Sequence, residues 1–226
     1  MDIKLHYVDK GRGEPLIMLH GNGESSEYFE RQIEYFSESY RVLAPDRRGH
    51  GQSPRGNGEF TIGRFADDLR DFMDGLGIVS ANLLGFSDGG NVAMRFALRY
   101  PSRVRKLILN GANLFPSGVK RSVQLPIELG YRLASLSIGW SARAVRRKEL
   151  LRLMVKEPNV KPESLAKLDM PVLVIAGTRD MIKRSHTQLI YDSLPDAQLV
   201  LINGDHFIAG KNPDEFNMAV EKFLKG

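Results

Sequence analysis

The chain contains no cysteine in its 226 residues, which excludes disulfides, thiolate nucleophiles and cysteine-based zinc sites. Nowhere do eighteen or more apolar residues run together, so no membrane-spanning helix is expected. The opening stretch Met1-Asp2-Ile3-Lys4-Leu5-His6 has no cationic region leading into an apolar one. No secretory leader is therefore expected, and the default is a soluble cytoplasmic protein without stable membrane association. Repeats and low-complexity tracts are also missing. With 42% hydrophobic and 26% charged residues, the composition is that of a globular chain with one sizeable core and little left for a second independent domain.

The formal charge of +5 is unevenly spread. Between Asn113 and Asp169 there are 11 Lys/Arg against 5 Asp/Glu, so the basic excess belongs to one segment. No aromatic residues interleave with these cations in the manner of a nucleic-acid surface, and no nucleic-acid partner is expected. Arg143, Arg146, Arg147, Lys148 and Arg152 form a basic run on an expected helix. Such a run could attract anionic substrates, nucleic acid or acidic lipid, and its ordinary reading is a solvated face.

Short apolar runs bounded by turn residues alternate with amphipathic stretches. The runs are Pro15 to Leu19, Arg41 to Ala44, Ala81 to Leu84, Arg105 to Leu109, Pro171 to Ala176 and Gln198 to Ile202. Between them helical spacing is expected over Phe29 to Phe36, Ile62 to Gly75, Asn91 to Tyr100, Ser185 to Leu194 and Asp214 to Leu224. This alternation predicts an α/β fold with a mostly parallel, doubly wound sheet. Ile3 to Val8 alternates with period two and predicts an antiparallel edge strand. From Asn113 to Asp169 no strand signal appears and leucines recur at helical spacing. We expect residues 1–112 and 170–226 to form one core and residues 113–169 a small helical cap inserted in it.

The most informative residues are Gly85-Phe86-Ser87-Asp88-Gly89, a G-x-S-x-G motif between an apolar strand and a helix. Such a turn forces the serine into a strained backbone conformation and lifts its hydroxyl out of the sheet. A serine hydroxyl needs a base, and the base needs an acid to orient it. Of five histidines, His206 lies in the loop after the last strand, at the sheet edge where Ser87 is expected. Asp180 follows the strand Pro171 to Ala176; Asp205 is the rival acid because it adjoins His206. The candidate triad is thus Ser87, Asp180 and His206, in the chain order that this nucleophile turn accompanies. Acyl transfer also needs backbone donors for a negative oxygen. The amide of Asp88 is one candidate and that of Asn22, in His20-Gly21-Asn22-Gly23, the other, with Gly23 as the alternative to Asn22. His20, Phe86, Leu129 and Leu133 are candidate pocket residues; Leu125 and Trp140 either join them or pack the cap.

Taken together, His20-Gly21-Asn22-Gly23, Asp46 to Ser53, Gly85 to Gly90, Gly177 to Asp180 and Gly204 to Phe207 resemble the α/β-hydrolase superfamily, in its esterase-like branch with a small cap. The resemblance implies acyl-enzyme chemistry on a small-molecule ester or acyl substrate, with no cofactor and no metal. It also implies structural roles for Asp46 and Arg48. Carbon-carbon bond hydrolysis, lactonase and thioesterase activity would use the same triad, and a noncatalytic ligand sensor is the reading from another class. Ser87-Asp88-Gly89-Gly90 is similar to the turn of amino-acid ester hydrolases, which implies that Asp88 could hold an ammonium group. Oligomeric state, monomer or homodimer, is open.

Overall fold

The computed structural model describes residues 1–136 and 141–226. Among the described residues seven strands form one sheet: β1 (Tyr7–Lys10), β2 (Pro15–Leu19), β3 (Arg41–Pro45), β4 (Ala81–Phe86), β5 (Val104–Asn110), β6 (Val172–Gly177) and β7 (Ala197–Ile202). Their order is β1-β3-β2-β4-β5-β6-β7; only β1 runs antiparallel, against β3. The edge strand is Tyr7–Lys10 rather than Ile3 to Val8. Asp9 and Lys10, outside the expected span, carry its register with Leu43 and Val42, and Arg41 clamps it by donating to both carboxylate oxygens of Asp9.

The parallel strands are buried on both faces because helices cover both. On one side lie α2 (Ile62–Gly75), α3 (Asp88–Arg99) and α6 (Arg184–Asp192), and on the other α1 (Glu30–Phe36), the short α7 (Ile208–Lys211) and α8 (Pro213–Lys225). Side-chain alternation sorts the core accordingly. Ile17, Leu19, Leu83, Leu107, Leu109 and Val174 point to the first layer with Phe65, Val92 and Phe96. Leu16, Met18, Leu84, Ile108, Leu173 and Ile175 point to the second with Phe36, Phe216 and Val220. Because β3 is laid down on one side of β2 and β4 on the other, the order reverses at β2, and the loops leaving the C-terminal ends of β2 and β4 open a crevice.

Two helices, α4 (Arg121–Leu136) and α5 (Ala142–Lys156), are inserted between β5 and β6. Ser141 caps α5 by accepting from the Ala144 N–H at 3.2 Å. The flanks of this insertion belong to the core: Leu114, Val160, Leu165, Leu168 and Met170 pack in the first layer, and the Val160 N–H donates to the Leu114 carbonyl at 2.8 Å. Trp140 lies outside the described residues. Among the described residues no helix is long and apolar enough to cross a membrane.

Arg48 is fully buried. It donates to both oxygens of the buried Asp68, at 2.6 and 2.8 Å, and to Asp2 at 2.6 Å. These carboxylates hold its charged form well above the usual range. Arg48→Met strands the Asp68 carboxylate, and a loss of roughly 3 to 5 kcal/mol in unfolding free energy is expected, read as a lower urea midpoint with unchanged slope.

Candidate active site

Ser87 connects β4 to α3 with φ 53° and ψ −121°, the one described non-glycine residue at positive φ. It occupies the N-cap position of α3 yet makes no side-chain cap hydrogen bond, so its hydroxyl is not committed to the helix as an N-cap serine's usually is. Two glycines make the turn possible. A Cβ at Gly89 would overlap the Leu19 carbonyl, and one at Gly85 would overlap the backbone of Gly89 itself. The Ser87 N–H donates to the Asn110 carbonyl at 2.8 Å, which ties the turn to the end of β5.

His206 stands in the loop between β7 and α7, and its Nδ1–H donates to Asp180 Oδ1 at 2.7 Å. Both side chains are buried. The same Asp180 oxygen accepts from the Ile182 N–H at 2.8 Å, which fixes the carboxylate. The imidazole packs on Phe86, the residue before Ser87, with ring centroids 4.8 Å apart. Its Nε2 is buried and makes no hydrogen bond, so the Ser87–His206 hydrogen bond is not formed in this state. Such contacts are often long in unliganded enzymes and tighten with substrate. Asp205 is turned away: it pairs with Lys211 and accepts from the Phe207 N–H at 2.9 Å.

Sequence reasoning missed Gly111. It follows β5 with φ +60°, and a Cβ there would lie 2.7 Å from His206 Cε1, 2.9 Å from Nδ1 and 3.3 Å from Asp180 Oδ2. Only a residue without a side chain leaves room for the imidazole-carboxylate pair. The signal available was a glycine at the C-terminal end of a strand. Glu24 was also missed. Its carboxylate accepts from the Gly21 N–H at 3.0 Å, and burial raises its pKa while His206 and Arg47 oppose the rise. Tyr28 stacks on Phe86 at 4.2 Å.

The remaining candidates divide. Asp88 opens α3, so its N–H points out of the helix end rather than into the ladder. Its buried carboxylate accepts from Asn91 Nδ2 at 3.2 Å through Oδ1, whereas Oδ2 is unpartnered; burial pushes its pKa up. Asn22 donates through its side chain to the Leu150 carbonyl of α5 at 2.9 Å, which fixes the loop below α5.

His20 and Phe86, expected in the pocket, are 0% and 1% exposed and have no surface to offer a substrate. His20 Nδ1–H donates to the Gly21 carbonyl at 2.8 Å and Nε2 accepts from the Arg47 N–H at 3.0 Å, so the ring is a neutral brace. Leu129 and Leu133 are 58% and 59% exposed, and Leu133 lines a groove between α4 and α5 together with Arg143 and Arg147. The face of α4 turned inward carries the buried Gln124, whose amide donates to the Met154 carbonyl at 3.2 Å. Asp46 accepts from the N–H groups of Ser26 and Gln52, at 2.7 and 2.8 Å, and from His6. With Arg48 it braces the loop behind the site. Among the described residues no group of three His, Cys, Asp or Glu side chains is arranged to hold a metal ion.

Burial lowers the pKa of His20 well below 6.5, that of His50 to about 3 and that of His186 to about 4. Between those values and 6.5 the unfolded chain binds more protons than the folded one, so stability rises with pH there. It is complete above about 6.5, and each histidine costs up to about 1.4 kcal/mol per pH unit below it. The urea midpoint is expected to fall from pH 7 to pH 5, and His50→Gln to flatten that slope.

The family described as "alpha/beta hydrolase fold" matches residues 14–135, more than half of the chain. The mouse (Mus musculus) protein named serine hydrolase BPHL is 29% identical over 250 residues, covering 99% of this chain and 84% of that protein. Among solved structures, the meta-cleavage product hydrolase CumD from Pseudomonas fluorescens IP01 superposes with a TM-score of 0.80 at 26% identity, covering 99% of this chain and 94% of its own. Est816, described as an N-acyl homoserine lactone degrading enzyme, does so with 0.81 at 26% identity, covering 98% and 97%. With its sheet order, its strained serine turn and this match, the chain belongs to the α/β hydrolase fold family.

Proposed function

We propose that the protein is a serine hydrolase that cleaves a small carboxylic ester or related acyl compound through an acyl-enzyme. The observation that carries this reading is the 2.7 Å Asp180–His206 hydrogen bond, its imidazole packed on Phe86, the residue before a serine at φ 53°. In the proposed sequence His206 Nε2 takes the Ser87 proton as the hydroxyl oxygen attacks the carbonyl. The Asn22 and Asp88 amides donate to the resulting oxyanion, a contribution of about 3 to 4 kcal/mol per donor in related chemistry. Collapse expels the leaving group, which takes the proton from His206. Water, deprotonated by the same imidazole, then attacks the acyl-serine, and as the acyl–oxygen bond breaks His206 returns that proton to Ser87 and the acid is released.

Three similar proteins carry names that differ at the scissile bond: a serine hydrolase, a lactone-degrading enzyme and a meta-cleavage product hydrolase. Each name fits the same proposed attack. One observation favours a second substrate group. The buried, unpartnered Asp88 Oδ2 beside the nucleophile is a fitting acceptor for the ammonium of an amino-acid ester.

Purified protein is expected to turn over short p-nitrophenyl esters and to be labelled by a fluorophosphonate, and Ser87→Ala to lose both, with turnover down on the order of a million-fold. Asp180→Asn should lose roughly 10⁴-fold in kcat, while Asp205→Asn stays near the parent rate. Retained labelling in Ser87→Ala would remove the nucleophile from the proposal. Comparing neutral esters, lactones, amino-acid esters and diketones under one assay separates the substrate classes.

A further inference from the structure

The helix α4 carries Leu125, Leu129, Leu133 and Leu136 at spacings of four, four and three, which puts them in one stripe about 16 Å long. They are 53%, 58%, 59% and 82% exposed. A contiguous apolar stripe on an outer surface marks a contact face. Beside it, α4 and α5 together hold eight cations against two acids. Arg55 engages Glu149, and Arg152 reaches Glu59. Arg143, Arg146 and Arg147 line the surface clefts here.

Two requirements meet at this face, because the leucines need apolar cover and the arginines need negative charge. A second copy would set Arg143 and Arg147, which border Leu133 here, against the same arginines of its partner. A soluble anion would leave the leucines wet, and a neutral bilayer would leave the cations unmatched. We propose that the α4–α5 face docks reversibly on an anionic lipid bilayer, with the leucine stripe among the acyl chains and the arginines at the headgroup phosphates. This is peripheral attachment, distinct from spanning. A groove of about 460 Å³ between the helices is lined by Leu133 and Ala134 on one side and by Arg143 and Arg147 on the other. The same two arginines border the next cleft, about 590 Å³, together with Asn22 and Gly23. The docking face is therefore continuous with the loop that holds one of the proposed oxyanion donors.

Sedimentation of the full chain with vesicles tests this without any turnover, so its outcome is separate from that of the hydrolase reading. The protein is expected to pellet with vesicles of equal parts phosphatidylglycerol and phosphatidylcholine, to stay in solution with phosphatidylcholine alone, and to be released by high salt. Leu125→Glu/Leu136→Glu and Arg143→Glu/Arg147→Glu, each checked for folding by circular dichroism, should weaken binding about tenfold or more. The proposal fails if the parent stays in solution with the anionic vesicles, or if salt and both double variants leave pelleting unchanged. It also fails if the parent elutes as a dimer that Leu125→Glu/Leu136→Glu converts to monomer, which would assign the stripe to a second copy.

Discussion

Everything at the candidate site depends on how closely three stretches of backbone approach one another. The first turn of α3 lies against the end of β2, with Gly89 facing the Leu19 carbonyl, and folds back over β4 at Gly85. That approach holds Ser87 at a positive φ that a non-glycine residue avoids unless its surroundings over-determine it. The serine is thereby denied its ordinary work as a helix cap and stands at the C-terminal ends of β2 and β4. A methyl group at either glycine would push the helix off the sheet and relax the turn.

Around this turn the charges are arranged in two shells with different solutions to burial. In the outer one, Arg48 and Asp46 have their hydrogen-bonding capacity met by neighbouring carboxylates and amides, so they act as struts. In the inner one, Arg47 and Asp88 are buried and only partly satisfied. Arg47 keeps one donor on the Gly21 carbonyl at 2.7 Å and lies 5.0 Å over the Phe65 ring, while its Nε and Nη1 and Asp88 Oδ2 have no partner. Unsatisfied polar atoms beneath the Ser87 turn are costly to the fold, and function is the usual reason such atoms persist.

The core strands and the Ser87 turn were legible because local patterns dictate them. Short apolar runs can be buried on both sides only as parallel strands, and G-x-S-x-G between a strand and a helix has few structural meanings. Asp180 was preferred to Asp205 on loop geometry, and in the structure Asp180 is the residue that meets the imidazole. What stayed hidden depends on distance in space rather than in sequence. Gly111 matters because of side chains nearly seventy and a hundred residues away. His20 looked like a pocket residue because it neighbours the loop glycines, yet its ring turns inward to brace Arg47. The stripe of Leu125, Leu129, Leu133 and Leu136 was legible as a helix face, but its periodicity does not say whether that face turns inward or outward.

The Asn22–Leu150 hydrogen bond has a mechanical meaning. It is a strut between the inserted helices and the loop after β2, so a shift of α5 carries that loop's peptide groups with it. Alignment of the proposed oxyanion donors is thus not a property of the sheet alone. Sequence drift in a peripheral helix can retune the proposed reaction from outside while leaving Ser87, His206 and Asp180 untouched.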